Sequence, residues 1–305
     1  MFKKIVFMGT PDFSVPILKT LYQNGYPVSA VYTQPPKRSM RGQKTNKSPI
    51  QKLAENLYLS VRNPNSLNNN KDELEYFKSL NADIAIVVAY GQIIPKEFLT
   101  IPKHGFINIH ASLLPKWRGA APIERAIMNS DEVTGISVMK IVEKLDSGPV
   151  MFKKKIALNN EINANELTNQ LSEIGSQIIL DCLDLIEVGK AKFVEQDHNK
   201  ATYAKKINKD ESKINWNKNV VKILAQINAL YQNPGAWFSF QGERYKILKA
   251  VSSDLEGQPG KLLNDKLVIA CKDKSIKIQV IQRQGKNKQK ATDFLLGSKM
   301  KKGLI

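Results

Sequence analysis

The stretch 82-ADIAIVVAYG-91 decides the architecture. From Ile84 to Ala89 every residue is apolar, and Asp83 and Gly91 bound the run. A half-buried strand would alternate apolar and polar residues. An unbroken run of this length reads as a strand buried on both faces, which places it in a parallel sheet with helices on either side. Its neighbours fit that frame. Upstream, KIVFMG (4–9) and VSAVYTQ (28–34) read as strands. Between them SVPILKTLYQNG (14–25) reads as a helix, with Ser14 as N-cap, Pro16 in the first turn and Gly25 as the stop. SPIQKLAENL (48–57) and KDELEYFKSL (71–80) have helical patterns. Downstream come FINIHASL (106–113), a helix near 121–129, strands GISVMKI (135–141) and PVMFKKKIAL (149–158), and a long amphipathic helix over 163–189.

The fold expected is α/β: a Rossmann-like, mostly parallel sheet over 1–189 with helices on both faces. After Gly189 the texture changes. Residues 190–212 are polar and charged and read as a linker. Over 213–305 a helix near 216–232 precedes short alternating runs with turn signals, the pattern of a small all-β, OB-like barrel.

Composition narrows the function classes. The chain has 305 residues, 42% hydrophobic, enough for two ordinary cores. No apolar run approaches the roughly 20 residues needed to cross a bilayer. MFKKIVFMG enters a strand-like run at once, so neither a signal nor a transit peptide is expected. Two cysteines, Cys182 and Cys271, lie far apart, which disfavours a disulfide framework and suits a reducing cytoplasm. The formal net charge of +18 is unevenly spread. Residues 1–189 hold 22 basic and 18 acidic side chains, whereas 190–305 hold 24 and 10. A uniform lysine-rich surface would load both parts alike. The asymmetry points to a polyanionic partner, nucleic acid first.

The chemistry-bearing residues cluster around INIHASLLPKWRGAAPI (107–123). Asn108 and His110 are two apart on a strand, so both side chains share a face. A strand histidine alone is more often a packing residue. With only His104, His110 and His198 in the chain, and no ligand spacing among them, no metal site is expected. Ser112 continues the same face, but no nucleophile elbow surrounds it. Asp146 lies 36 residues after His110, in VEKLDSGPV (142–150). In a parallel sheet the loops at the carboxyl ends share one edge, which would bring Asp146 near His110. Its bland reading is an aspartate opening a turn. GTPDFS (9–14) has a single glycine and is neither a dinucleotide turn nor a P-loop.

NIHASLLPKWRGAAPI together with KLDSGPV resembles the folate-dependent formyltransferases, and the resemblance covers nearly the whole chain. VFMGTPDFSVPIL, the basic loop TQPPKRSMRGQK and the tail with INW and NPGAW are similar to the branch acting on methionyl initiator tRNA. The resemblance implies transfer of a formyl group from 10-formyltetrahydrofolate to the α-amine of the charged tRNA, in translation initiation, with no metal. It implies Asn108 and His110 as donors to a developing oxyanion and Asp146 as the group that orients and relays protons. For folate it implies Ser112, Leu113, Leu114 and Pro115, with Val88, Tyr90 and Gly91 walling the pocket. For tRNA it implies the basic loop, with Arg38, Arg41 and Lys44, then Lys205 and Lys206 in the 190–212 linker, and the basic C-terminal domain after it. A monomer is expected. Two alternatives remain: a relative with a sugar-nucleotide acceptor, and an RNA-binding relative that has lost turnover. The first gives no reason for the basic C-terminal third. The intact Asn108, His110 and Asp146 set argues against the second.

Overall fold

Ile84–Val88 is buried along its whole length and is the middle strand of a seven-stranded sheet. The computed structural model describes residues 2–38, 45–297, 300 and 303–304. Two units emerge. The first is Met1–Pro122, Thr134–Ile156 and Thr168–Ala204; the second is Ile123–Val133, Ala157–Leu167 and Lys205–Ile305.

The first sheet holds β1 (Ile5–Gly9), β2 (Val28–Tyr32), β3 (Val61–Arg62), β4 (Ile84–Val88), β5 (Phe106–His110), β6 (Val133–Lys140) and β7 (Val150–Ala157), in the order β7-β6-β5-β4-β1-β2-β3. β1 to β5 pair in parallel, with Phe7 opposite Ile86 and Val31, and Val87 opposite Asn108. β6 departs from the pattern. It runs antiparallel to β5, with His110 opposite Ser137 and Ile107 opposite Lys140. β6 and β7 form a hairpin, closed by Lys140 N–H to Pro149 O (3.0 Å) and Leu158 N–H to Glu132 O (2.8 Å). Nothing in the residue pattern marks strand direction, because an apolar run looks the same read either way.

The helices begin where their capping residues stand. α1 (Val15–Gln23) follows a 3-10 turn, Asp12–Ser14. Ser14 holds the N-cap position without capping; its hydroxyl donates instead to Val88 O at 2.6 Å. This ties the start of α1 to the end of β4. A side chain at Gly9 would lie 2.8 Å from Phe7 and Ser14, so that turn's glycine is a packing requirement. α2 (Pro49–Asn56) is capped by Ser48, which accepts from Gln51 N–H at 2.9 Å. α3 (Lys71–Ser79) is capped by Asn70, and its buried Glu73 accepts from Arg62 and Tyr32 at 2.7–3.0 Å, tying β3 and β2 to the helix. α4 (Lys96–Leu99) and α5 (Pro122–Asn129) are short. α6 (Ala164–Glu187) buries a stripe through Leu167, Leu171, Gly175, Ile179 and Leu183. Gly175 lets it lie close to the sheet: a Cβ there would stand 3.2 Å from Ile109 and 3.3 Å from Ile17.

The second unit has α7 (Val220–Ala229) packed with a curled antiparallel sheet. Its strands are β8 (Ala236–Phe240), β9 (Glu243–Ser253), β10 (Lys261–Leu262), β11 (Val268–Ala270), β12 (Ser275–Arg283), β13 (Gln289–Lys290) and β14 (Gly303–Leu304), with the short helix α8 (Ala291–Gly297). The path is β8-β9-β12-β11-β10-β14, with β13 on β12. Register slips around Lys249 bend β9, and the sheet curls into a half-barrel. Ile223 and Ile227 of α7 share its core with Phe238, Ile247, Ile276, Ile278 and Phe294.

The expected linker is corrected. Residues 190–204 fold within the first unit: Val194 bridges Val150, and Tyr203–Ala204 pairs in parallel with Arg118–Gly119. Polarity misled here, because the segment's polar side chains and backbone bond to other protein groups.

Candidate active site

β5 carries Asn108 and His110 on one face, both nearly buried, at 9% and 6% exposure. They differ in what surrounds them. The Asn108 side chain, 9% exposed, makes no hydrogen bond among the described residues. His110 is anchored at one ring nitrogen and faces a carboxylate with the other. Nε2 lies 2.9 Å from Trp117 O, and Nδ1 lies 3.8 Å from Asp146 Oδ2. A carbonyl only accepts, so Nε2 carries the hydrogen, and Nδ1 is the nitrogen that faces the carboxylate.

Asp146 reaches His110 by a route the sequence argument did not anticipate. The two do not share a carboxyl edge: β6 runs antiparallel to β5, so its carboxyl end is at the other edge. The 141–149 loop folds back instead. Asp146 adopts a left-handed backbone (φ 46°), and its Oδ2 accepts from Gly119 N–H at 2.7 Å. Gly119 itself has φ 116°, and a Cβ there would lie 2.9 Å from Ala204 O, so only glycine serves both the strand pairing and the donor. Gly148 is equally constrained, since its Cβ would meet Lys140 O at 2.0 Å.

The loop after β5 is rigidly made. Ser112 Oγ donates to Lys116 O (2.5 Å). Ser112 O accepts from Ser137 Oγ (2.7 Å), which accepts from Leu114 N–H (3.0 Å). Lys153 Nζ donates to Leu114 O. Burial holds the Lys153 amine below the ordinary lysine range, and the charge of Lys155 adds to the effect. Ser112 is wholly buried and Leu114 nearly so, leaving Leu113 and Pro115 part-exposed. Ser112 therefore shapes the loop; its hydroxyl and carbonyl are already committed.

Val88 and Tyr90, expected to wall a pocket, have their side chains in the interior at 0% and 1% exposure. Tyr90 packs with Phe77, Phe98 and Phe106, and burial raises its phenol above the ordinary range. Apolar side chains in the central strand fill the core, so what this segment offers a ligand is backbone. Gly91 is the exposed residue of the three. Of the residues expected at tRNA, Arg41 and Lys44 lie outside the described residues. Arg38 ends a two-residue strand, Lys37–Arg38, which pairs with Thr45–Asn46 at the base of the basic loop. Lys205 and Lys206 are exposed, and their carbonyls accept from Arg125 within the second unit. No group of three His, Cys, Asp or Glu side chains among the described residues is placed to hold a metal.

Three residues around the site had no role in the sequence reading. Arg118 is 1% exposed and donates to Gln196 Oε1 and His198 Nδ1. Gln196 and His198 sit in the supposed linker, where nothing in the sequence marks Gln196 as buried or either residue as a partner of Arg118.

Two family models match the chain: formyl transferase over residues 3–183, and formyl transferase, C-terminal domain, over 206–299. A methionyl-tRNA formyltransferase of Pelagibacter ubique is 55% identical over 304 residues, 99% of this chain and 98% of that one. One of Ruegeria pomeroyi is 43% identical over 300 residues, 98% and 99% of the two chains. Among solved structures, an N-formyltransferase from Helicobacter canadensis, in complex with folinic acid and dTDP-3-aminofucose, superposes with a TM-score of 0.70. It is 21% identical and covers 93% of this chain and 100% of its own, a likeness of fold. By both matched models and by full-length identity, the chain belongs to the formyl transferase family.

Proposed function

We propose that this protein transfers the formyl group of 10-formyltetrahydrofolate to the α-amine of methionyl initiator tRNA, in the cytoplasm. The observation that carries the reading is the division of roles on one strand face. Asn108 presents an amide with no partner among the described residues, while His110 presents Nδ1 to Asp146. The full-length relatives that act on methionyl-tRNA set the acceptor, and the 24 basic against 10 acidic residues over 190–305 suit a polyanion.

The amine is its own nucleophile, so no serine or cysteine is required, and Ser112 is not free to serve. As the amine attacks the formyl carbon, negative charge grows on the formyl oxygen. Asn108 Nδ2–H is the donor for it, and no bond within the described chain need break first. The amine loses a proton, and N10 of the folate gains one as its bond to the formyl carbon breaks. His110 Nδ1 and Asp146 form the relay. A proton reaching Nδ1 sits beside a carboxylate that Gly119 holds in place. The exposed turn at Gly91 and the part-exposed Leu113 and Pro115 border the folate.

The test is purified protein with 10-formyltetrahydrofolate and, in parallel, Met-charged initiator tRNA, uncharged tRNA, charged elongator tRNA and a dTDP-aminosugar. Formylation of the charged initiator above all others is expected. Transfer to the aminosugar with none to tRNA would overturn the acceptor assignment.

A further inference from the structure

We infer that Gln196 is a positioning residue for Asp146: one buried amide spans the Arg118 guanidinium and the backbone of the 146–148 loop, and so fixes the carboxylate against His110. Gln196 is 7% exposed. Its Nε2 donates to Asp146 O at 2.9 Å and to Gly148 O at 2.7 Å. Its Oε1 accepts from Arg118 Nε at 3.1 Å and Nη2 at 2.7 Å. Both donors and both acceptor positions of the amide are therefore used. The partners also fix its orientation. Turned over, the amide would set NH₂ against a guanidinium that only donates, and oxygen against two carbonyls that only accept.

Asp146 has a left-handed backbone, which is uncommon for a non-glycine residue. Two grips meet on this residue. Gly119 N–H takes the side chain, and Gln196 takes the backbone. Both lead to one stretch of chain, because Arg118 precedes Gly119. The buried cation, the amide and the left-handed aspartate form one continuous set of bonds within the first unit. Its consequence is catalytic geometry. A carboxylate displaced by about 1 Å from its working position can cost about 10²-fold in rate.

The inference rests on the role proposed for Asp146, and the test separates the two. In the full-length protein, Gln196→Glu keeps an acceptor for Arg118 but loses both donors to the loop. Its melting temperature should stay at or above that of Gln196→Ala. Its kcat should fall by about 10²-fold, with KM for folate and tRNA unchanged. Gln196→Ala should lose as much kcat, and adding Asp146→Asn to it should cost far less than Asp146→Asn costs alone. The Gly119 amide, bonded to Asp146, should exchange its hydrogen faster in both Gln196 variants. Wild-type kcat in Gln196→Glu, beside a slow Asp146→Asn, would mean that Gln196 only satisfies Arg118, and the inference would fall. So would losses that multiply in full in the Gln196→Ala, Asp146→Asn double variant. Wild-type kcat in Asp146→Asn alone would instead remove the role of Asp146 itself. Should Gln196→Glu not fold, the double-variant comparison and the exchange rate decide in Gln196→Ala.

Discussion

Asn108 is set apart in the site by its partners. Its amide bonds to nothing among the described residues, so Asn108→Ala should leave the melting temperature close to wild type. Turnover should fall by about 10²–10³-fold, the usual loss for one oxyanion donor. Wild-type turnover in a folded variant would remove the role. That Asn108 and His110 share a strand face could be read from the sequence, because a strand has period two and polar residues at that spacing in an apolar run stand out. The pocket walls could not be read this way. Val88 and Tyr90 lie near a strand's carboxyl end, where ligands commonly bind, yet their side chains point into the core. Sequence position near an edge does not tell which side of the sheet a side chain serves. Nor could Gln196 be found, since burial of a polar residue depends on partners distant in sequence. Cys182 and Cys271 were legible as unpaired, and burial pushes both thiols up to about 12. Neither should alkylate at pH 8 until the protein unfolds, as mass spectrometry after iodoacetamide would read; rapid native labelling would contradict their burial.

At the scale of elements, the strands and helices of the first 189 residues follow from periodicity and caps, but the direction of β6 does not. Direction depends on whether the connection crosses over or returns, and α5 between β5 and β6 is compatible with either. The folding of 190–204 was equally hidden, and so was the anchoring of the segment after it. There, Arg125 of α5 donates to Glu211 at 2.5 and 3.0 Å. The Arg125 guanidinium holds the Glu211 carboxyl below its ordinary value of 4.5. The sign follows. A carboxyl depressed in the folded state stabilises it at pH above the ordinary value, and that stability is lost as pH falls below 4.5 through the folded value. Denaturant stability measured from pH 7 down to 3 should therefore fall less steeply at its acid end in Glu211→Gln than in wild type. Identical acid limbs would mean that the pair contributes nothing to the second unit.

Over the whole molecule, the proposed chemistry and the charge surplus lie in different parts of the chain. Asn108, His110 and Asp146 belong to the first unit, while Lys205 and Lys206 begin the last segment of the second. If Lys205 and Lys206 each meet a phosphate, tRNA affinity should depend steeply on salt. The double Lys205→Ala, Lys206→Ala variant should flatten the log–log slope by about 1.4–1.8 while leaving folate affinity unchanged. An unaltered slope would mean that these lysines are only solvated surface. The uneven charge of the chain was legible from composition. The boundary was not, because the second unit also draws in 123–133 and 157–167. On the proposed mechanism, the relay of His110 and Asp146, seated beside the Asn108 donor, carries the transfer. The decisive measurement is single-turnover formylation of methionyl initiator tRNA by Asp146→Asn, with folate and tRNA saturating. That substitution keeps the shape that accepts from Gly119 but removes the charge facing His110. The chemical step should slow by about 10²–10⁴-fold with folate affinity unchanged. A wild-type single-turnover rate, or a loss confined to folate binding, would contradict it.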